Sequence, residues 1–177
     1  MSIQKTTKIP LRGDLRIISR DAQSLDIRSV WEKKNVITHA GTDSLVKLQA
    51  PNAAFGANVQ LENQIKSMRF GLNNTAPQRT DLNLLSEANV SGNNVRIQLF
   101  DANRIVGVSG TVEYVAVMSS SYGNGVTYRE AGLFTRGTTD NPLTTSSDIM
   151  FSRQVFSDHV KTSAVVLEFR WRITYTV

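Results

Sequence analysis

The chain contains no cysteine. That removes disulfides, thiolate metal sites and cysteine nucleophiles together. Histidine is nearly absent as well: His39 and His159 are the only two. Neither stands at metal-ligand spacing from a carboxylate or from the other, so both read as structural or solvent-exposed. No window approaches the unbroken apolar length that a bilayer span requires. The opening Met1–Lys5 has no apolar core of the signal-peptide kind, and the expectation is a soluble product made in the cytosol. Phosphate loops, dinucleotide fingerprints, nucleophile elbows and zinc-protease motifs are all missing. Gly107-Val108-Ser109-Gly110 has the wrong spacing for a nucleophile elbow, and no carboxylate pair is singled out for sugar hydrolysis. The reading is a chain with no catalytic residues, no cofactor and no metal.

What is present suits a folded domain. The chain has 177 residues, of which 40% are hydrophobic, enough for a real core and too many for a disordered chain. The formal charge is +5, yet the basic residues do not cluster. Lys33-Lys34 is the only adjacent basic pair, and elsewhere Arg and Lys alternate with apolar or acidic residues. That pattern reads as a solvated sheet face and not as a phosphate-binding patch, so nucleic acid is not an expected partner.

There is no tandem repeat and no low-complexity linker. Residues 1–13 are polar and basic and lack a hydrophobic period, which predicts an extended N-terminal arm ahead of a single domain over 14–177. Asp14–Arg20 and Ser24–Glu32 read as strands joined by a turn at Asp21-Ala22-Gln23. Thr42–Gln49 reads as a helix capped by Thr42 and ended by Pro51, with Leu45 and Leu48 on one face. Asn52–Asn63 reads as a loop, Ser67–Leu72 as a strand, and Asp81–Glu87 as a helical turn capped by Thr80. Val95–Phe100 alternates as a strand. Thr111–Met118 is apolar on both sides, which predicts a central strand or a subunit contact. Ser119–Gly125 marks a hairpin loop, Tyr128–Arg136 a strand and Gly137–Ser147 a second loop. His159 falls in a turn before the last strand.

The last segment has the clearest pattern. Leu167, Phe169, Trp171, Ile173, Tyr175 and Val177 face one way; Glu168, Arg170, Arg172, Thr174 and Thr176 face the other. This run is long, since strands usually have about five or six residues. Together the segments give about seven or more short strands with one or two short helices. The predicted class is all-β, an antiparallel β-sandwich or a jelly-roll-like barrel.

Several segments resemble, in order, those of a family of tailed-bacteriophage virion structural proteins. Asn35-Val36-Ile37-Thr38-His39-Ala40-Gly41 resembles a strand-to-helix entry, and Met68-Arg69-Phe70-Gly71-Leu72-Asn73-Asn74-Thr75-Ala76-Pro77 a Gly-turn-Pro stretch. Leu84-Leu85-Ser86-Glu87 resembles a short helix ending in Glu. Arg129-Glu130-Ala131-Gly132-Leu133-Phe134 resembles an acidic-small-Gly-Leu-Phe box. Ile149-Met150-Phe151-Ser152-Arg153, Val155-Phe156, Lys161-Thr162 and the Trp171-Arg172-Ile173-Thr174 core of the last strand follow it. The likeness spans roughly residues 35–177. It departs at Gly71-Leu72-Asn73, where a Gly-x-Gly turn is usual, and at Ser157-Asp158, where a Pro is common.

The resemblance implies a non-enzymatic structural component of a tailed-phage virion. Such a protein would assemble in multiple copies at the neck, collar or tail through sheet and arm contacts, its N-terminal arm reaching a neighbour, as a homo-oligomer in contact with other phage structural proteins. It would reside in the virion, and in the host cytoplasm during assembly. The structural and interaction candidates are Glu130, Gly132, Leu133, Phe134, Arg153, Lys161 and Trp171. Gly132 would permit a close backbone approach or a bulge, and Glu130 would pair across strands with Arg153 or Arg170. The alternatives are a head decoration protein and a carbohydrate- or receptor-binding β-sandwich, for which Tyr122 and Tyr128 are the candidate loop aromatics.

Overall fold

In a computed structural model the described residues are 11–49, 63–107, 110–135 and 148–175. The loops expected over Asn52–Asn63 and Gly137–Ser147, most of the arm, and Val177 therefore lie wholly or largely outside them. The architecture is all-β and antiparallel. It comprises β1 (Leu11–Asp21), β2 (Ile27–Ile37), helix α1 (His39–Gln49), β3 (Ile65–Gly71), β4 (Asn89–Val90), β5 (Asn93–Asn94), β6 (Arg96–Gln98), a 3-10 turn at Asp101–Asn103, β7 (Arg104–Val106), β8 (Thr111–Met118), β9 (Val126–Thr135), β10 (Met150–Lys161) and β11 (Val165–Tyr175).

Nine strands form one curled sheet in the order β6-β3-β9-β10-β2-β1-β11-β8-β7, and β4-β5 is a separate hairpin. The large sheet is sandwich-like because β2 changes partners along its length. Ile27–Asn35 pairs with β1, whereas only Val36 and Ile37 pair with β10. One half, β2-β1-β11-β8-β7, therefore faces the other, β6-β3-β9-β10. Phe70 of β3 meets Phe169 of β11 at 4.6 Å between ring centroids, a contact that crosses the interior between the halves.

The alternation expected of the last strand is present. Leu167, Phe169, Trp171 and Ile173 are buried in the core beside Leu15 and Ile17 of β1. On the opposite face of the same half, Arg20, Glu168, Arg170, Glu113 and Arg172 form a continuous run of ion pairs at 2.5–3.2 Å. Arg170 thus belongs to this outer ladder and not to Glu130. Burial opposes the charge on Glu168, but Arg170 and Arg20 hold its carboxyl below the ordinary range.

Several elements differ from expectation. β1 begins at Leu11, with Leu11 opposite Tyr175, so Leu11–Gly13 belong to the sheet and not to an arm. The β1–β2 turn runs to Asp26: Asp21 accepts the Gln23 and Ser24 amides at 2.8 and 3.0 Å. Helix α1 starts at His39, because the cap is Thr38 and not Thr42. The Thr38 hydroxyl oxygen accepts the Gly41 amide at 2.9 Å, as an N-cap does. No helix forms over Asp81–Glu87. β8 is next to last in its half, so Val117 is 48% exposed and the strand is not buried on both faces. β10 is a long strand that local alternation does not announce, and it contains His159. Its register against β9 slips between Val155 and His159, a bulge of the kind that re-aims side chains.

Candidate functional site

The boxed residues converge on the outer face of the β6-β3-β9-β10 half. Cross-strand register places Arg96, Arg69, Gly132 and Arg153 in one row across β6, β3, β9 and β10. Side-by-side cations repel, and burial makes that repulsion worse. The segment 72–88, irregular apart from an isolated β-bridge at Glu87, lies over this row as a strap and supplies acids to it. Asp81 binds Arg153 at 2.8 Å, and Glu87 binds Arg96 at 2.5 and 2.8 Å. Asp148 pairs with Arg69, whose guanidinium also lies 4.1 Å over the Phe134 ring. Burial lowers the pKa of Arg69 to about 10.

Glu130 and Arg153 form the centre, and both side chains are fully buried. Arg153 donates from Nε to Glu130 Oε2 at 2.8 Å and from Nη2 to the Thr75 carbonyl at 3.2 Å. Glu130 also accepts main-chain amides of the strap: Ser86 at 2.9 Å, Leu85 at 3.3 Å and Asn73 at 3.4 Å. A carboxylate so placed satisfies donors that a helix would otherwise have to satisfy locally. That is why Asp81–Glu87 is held open.

Two glycines make room for the strap. At Gly71 a Cβ would stand 2.5 Å from the Ser86 carbonyl oxygen, and Gly71 bridges to Glu87. At Gly132 a Cβ would stand 3.1 Å from Leu84 Cδ2 and 3.3 Å from the Ser152 carbonyl. The backbone near Gly132 is the Ser152 carbonyl of β10, while the strap contributes the Leu84 side chain and the Phe134 ring of β9 stands nearest, at 2.9 Å. The bulges lie on the flanking strands, where β10 and β3 each slip register opposite Leu133–Thr135. Ala131 and Leu133 point into the hydrophobic core.

The remaining candidates sit elsewhere. Lys161 is buried and ties the 119–125 hairpin: its Nζ donates to Asn124 Oδ1 at 2.6 Å and to the Thr162 carbonyl at 2.9 Å. Burial holds its ammonium below the ordinary lysine range. Trp171 is a core residue between Leu15 and Tyr114. Tyr128 is buried and donates to the Gly123 carbonyl at 2.8 Å; its hydroxyl pKa is pushed up by burial. Tyr122 donates to the Arg96 carbonyl at 2.8 Å. Among the described residues no group of three His, Cys, Asp or Glu is arranged to hold a metal, and no helix is long and apolar enough to cross a membrane.

Each acid described on the arginine row, Asp81, Glu87, Glu130 and Asp148, is paired with a guanidinium. The strap exposes polar residues, Asn74, Gln78, Arg79, Thr80 and Asn83 among them, together with large apolar ones. The pinned strap presents Leu82 at 69% and Leu85 at 53% exposure, side chains that the local sequence pattern places in a helical turn. A second apolar group, Phe100, Ile105 and Val106, is exposed where β6 passes through the 3-10 turn into β7. No family model, no curated protein and no solved structure matches this chain.

Proposed function

We propose that the chain is a non-enzymatic structural component of a tailed-phage virion, present in multiple copies at the neck, collar or tail. The observation that carries the reading is the use to which the resembling segments are put. Gly71, Glu130, Gly132 and Arg153 meet Leu84–Glu87 of the strap at one buried pin. Segments that recur in a fixed order would do so because they fix a rigid surface, here one carrying Leu82 and Leu85. A virion protein needs such surfaces, because every copy must present the same contact to its neighbours.

A carbohydrate-binding role has less support. Tyr128 is enclosed and the Tyr122 hydroxyl is engaged by the Arg96 main chain, which leaves the aromatic platform of that alternative poorly provided for. Quantitative mass spectrometry of gradient-purified virions tests the proposal. The expected result is several copies of the chain per particle, retained through repeated banding. A chain found only in the soluble lysate overturns it.

A further inference from the structure

β2 and β10 are neighbours in the sheet for only two residue pairs, Val36↔Arg153 and Ile37↔Ser152. Beyond that point they separate. β2 continues back to Ile27 paired only with β1, and β10 continues to Lys161 paired only with β9. Among the described residues, each strand therefore presents one edge without a ladder partner, and the two edges face each other across a groove of about 290 Å³. Ser29, Trp31, Ser157 and His159 line it, and the Trp31–Phe156 edge contact, at 5.7 Å between centroids, packs across it. Ile27, Val30 and Val160 around it are 46–59% exposed. Asp158 and Val160 also line the groove, and strand edges left open recruit further strands unless something covers them.

We infer that this seam takes residues 2–9 of a second copy as an added strand. The inference rests on the multi-copy reading above and names the contact that would join the copies. Ser2–Ile9 contains Ile3, Thr6, Thr7 and Ile9, with no glycine or proline, a composition that favours extended pairing. Ile3 and Ile9 are an even number of residues apart and so share one side of a strand.

To reach the same seam, the chain's own residues 2–9 would have to double back from Leu11. Leu11 lies at the end of the sheet where β2 meets β10 and α1 begins, opposite Tyr175. The groove lies at the other end, level with Ile17–Ser19. Ten residues span at most about 33–36 Å. Returning past six to eight residues of β1 takes about 20–27 Å of that, after a reversal and a crossing of the end that the β2–β10 pairs close. A neighbour's arm needs no such detour.

The cysteine-free chain makes a clean cross-linking test. Full-length Ile3→Cys is mixed with full-length Ser29→Cys or Val160→Cys, and with Val46→Cys on the exposed helix face as control, under mild oxidation. The expected result is a heterodimer with either groove variant, at least tenfold above the helix control. Residues 2–9 deleted from the chain should shift sedimentation to the monomer with the melt unchanged. Cross-linking to the groove no better than to the helix overturns the inference. So does a concentration-independent internal disulfide in Ile3→Cys/Val160→Cys, which would show the arm filling its own seam, and so does a deleted chain that still associates. A failed cross-link with the chain still in particles removes only this contact. A successful one with the chain absent from particles removes only the virion reading.

Discussion

Replacing Glu130 with alanine should unfasten the strap before it unfolds the protein. The substitution removes the buried acceptor for Arg153 Nε and for the Ser86, Leu85 and Asn73 amides. Arg153 keeps Asp81 at 2.8 Å but loses its fully buried partner. Breaking a buried pair from one side costs about 3–5 kcal/mol, because the remaining charge stays desolvated. Against a total stability of about 5–15 kcal/mol this is a severe loss, equivalent to roughly 6–20 °C in melting temperature for a domain of this size. Glu130→Gln should lose less, since its amide oxygen can still accept the Ser86 amide. The double substitution Glu130→Met/Arg153→Met should lose less than the sum of the two single changes, because it leaves neither charge stranded. Calorimetry reads the magnitude, and hydrogen exchange reads the place: peptides over residues 72–88 should lose protection first. A Glu130→Ala protein that melts within about 2 °C of the parent, with the strap amides still protected, would refute the reasoning.

Three further outcomes follow from the same structure. Deleting Trp171–Val177 removes buried Trp171 and Ile173 and their pairing with β1 and β8; at about 1.5–3 kcal/mol per large side chain, the product should show no cooperative melt, and a soluble, cooperatively melting truncation would contradict this. Gly71→Val should destabilise by about 1–3 kcal/mol or more through collision with the Ser86 carbonyl, whereas Gly107→Ala, whose nearest neighbour atoms are 3.6 Å away, should be near neutral in the same urea titration. The Glu168 carboxyl has a folded-state pKa below its ordinary 4.5, so its contribution is present above 4.5 and is lost as pH falls through the folded value. Acid melts should therefore show a steeper loss in the parent than in Glu168→Gln, and parallel curves would discount this ion-pair ladder.

Much of the core was legible because some patterns are local. The alternation from Leu167 to Ile173 contrasts one face against the other residue by residue, and that contrast is what a half-buried strand requires. The sequence places Glu130 opposite either Arg153 or Arg170, and only the strand order decides for Arg153, since Arg170 lies in the other half of the sheet. The misses arise from interactions distant in sequence. Thr80, Asp81 and the following leucines look like a capped helical turn, yet the Leu85 and Ser86 amides find their acceptor in Glu130, 44–45 residues away. β10 escaped because its bulge around Phe156–Asp158 breaks the two-residue period. The helix start moved because Thr38, buried against the Met150 and Phe151 carbonyls, is held where it can cap, and Thr42 is not. Val115 and Val117 suggested burial on both faces, but only strand order reveals that β8 lies beside a three-residue edge strand. The open seam between β2 and β10 depends on which strands become neighbours, and no local pattern encodes that.

Locating the chain on intact particles tests the central claim most directly. Cryo-electron microscopy of tailed virions carrying this gene, or labelling with an antibody against the folded domain, should find the curled nine-stranded sheet in symmetric copies at the neck, collar or tail. Density confined to the head lattice would contradict that placement in favour of head decoration. Virions that carry no copy at all would contradict the structural role itself.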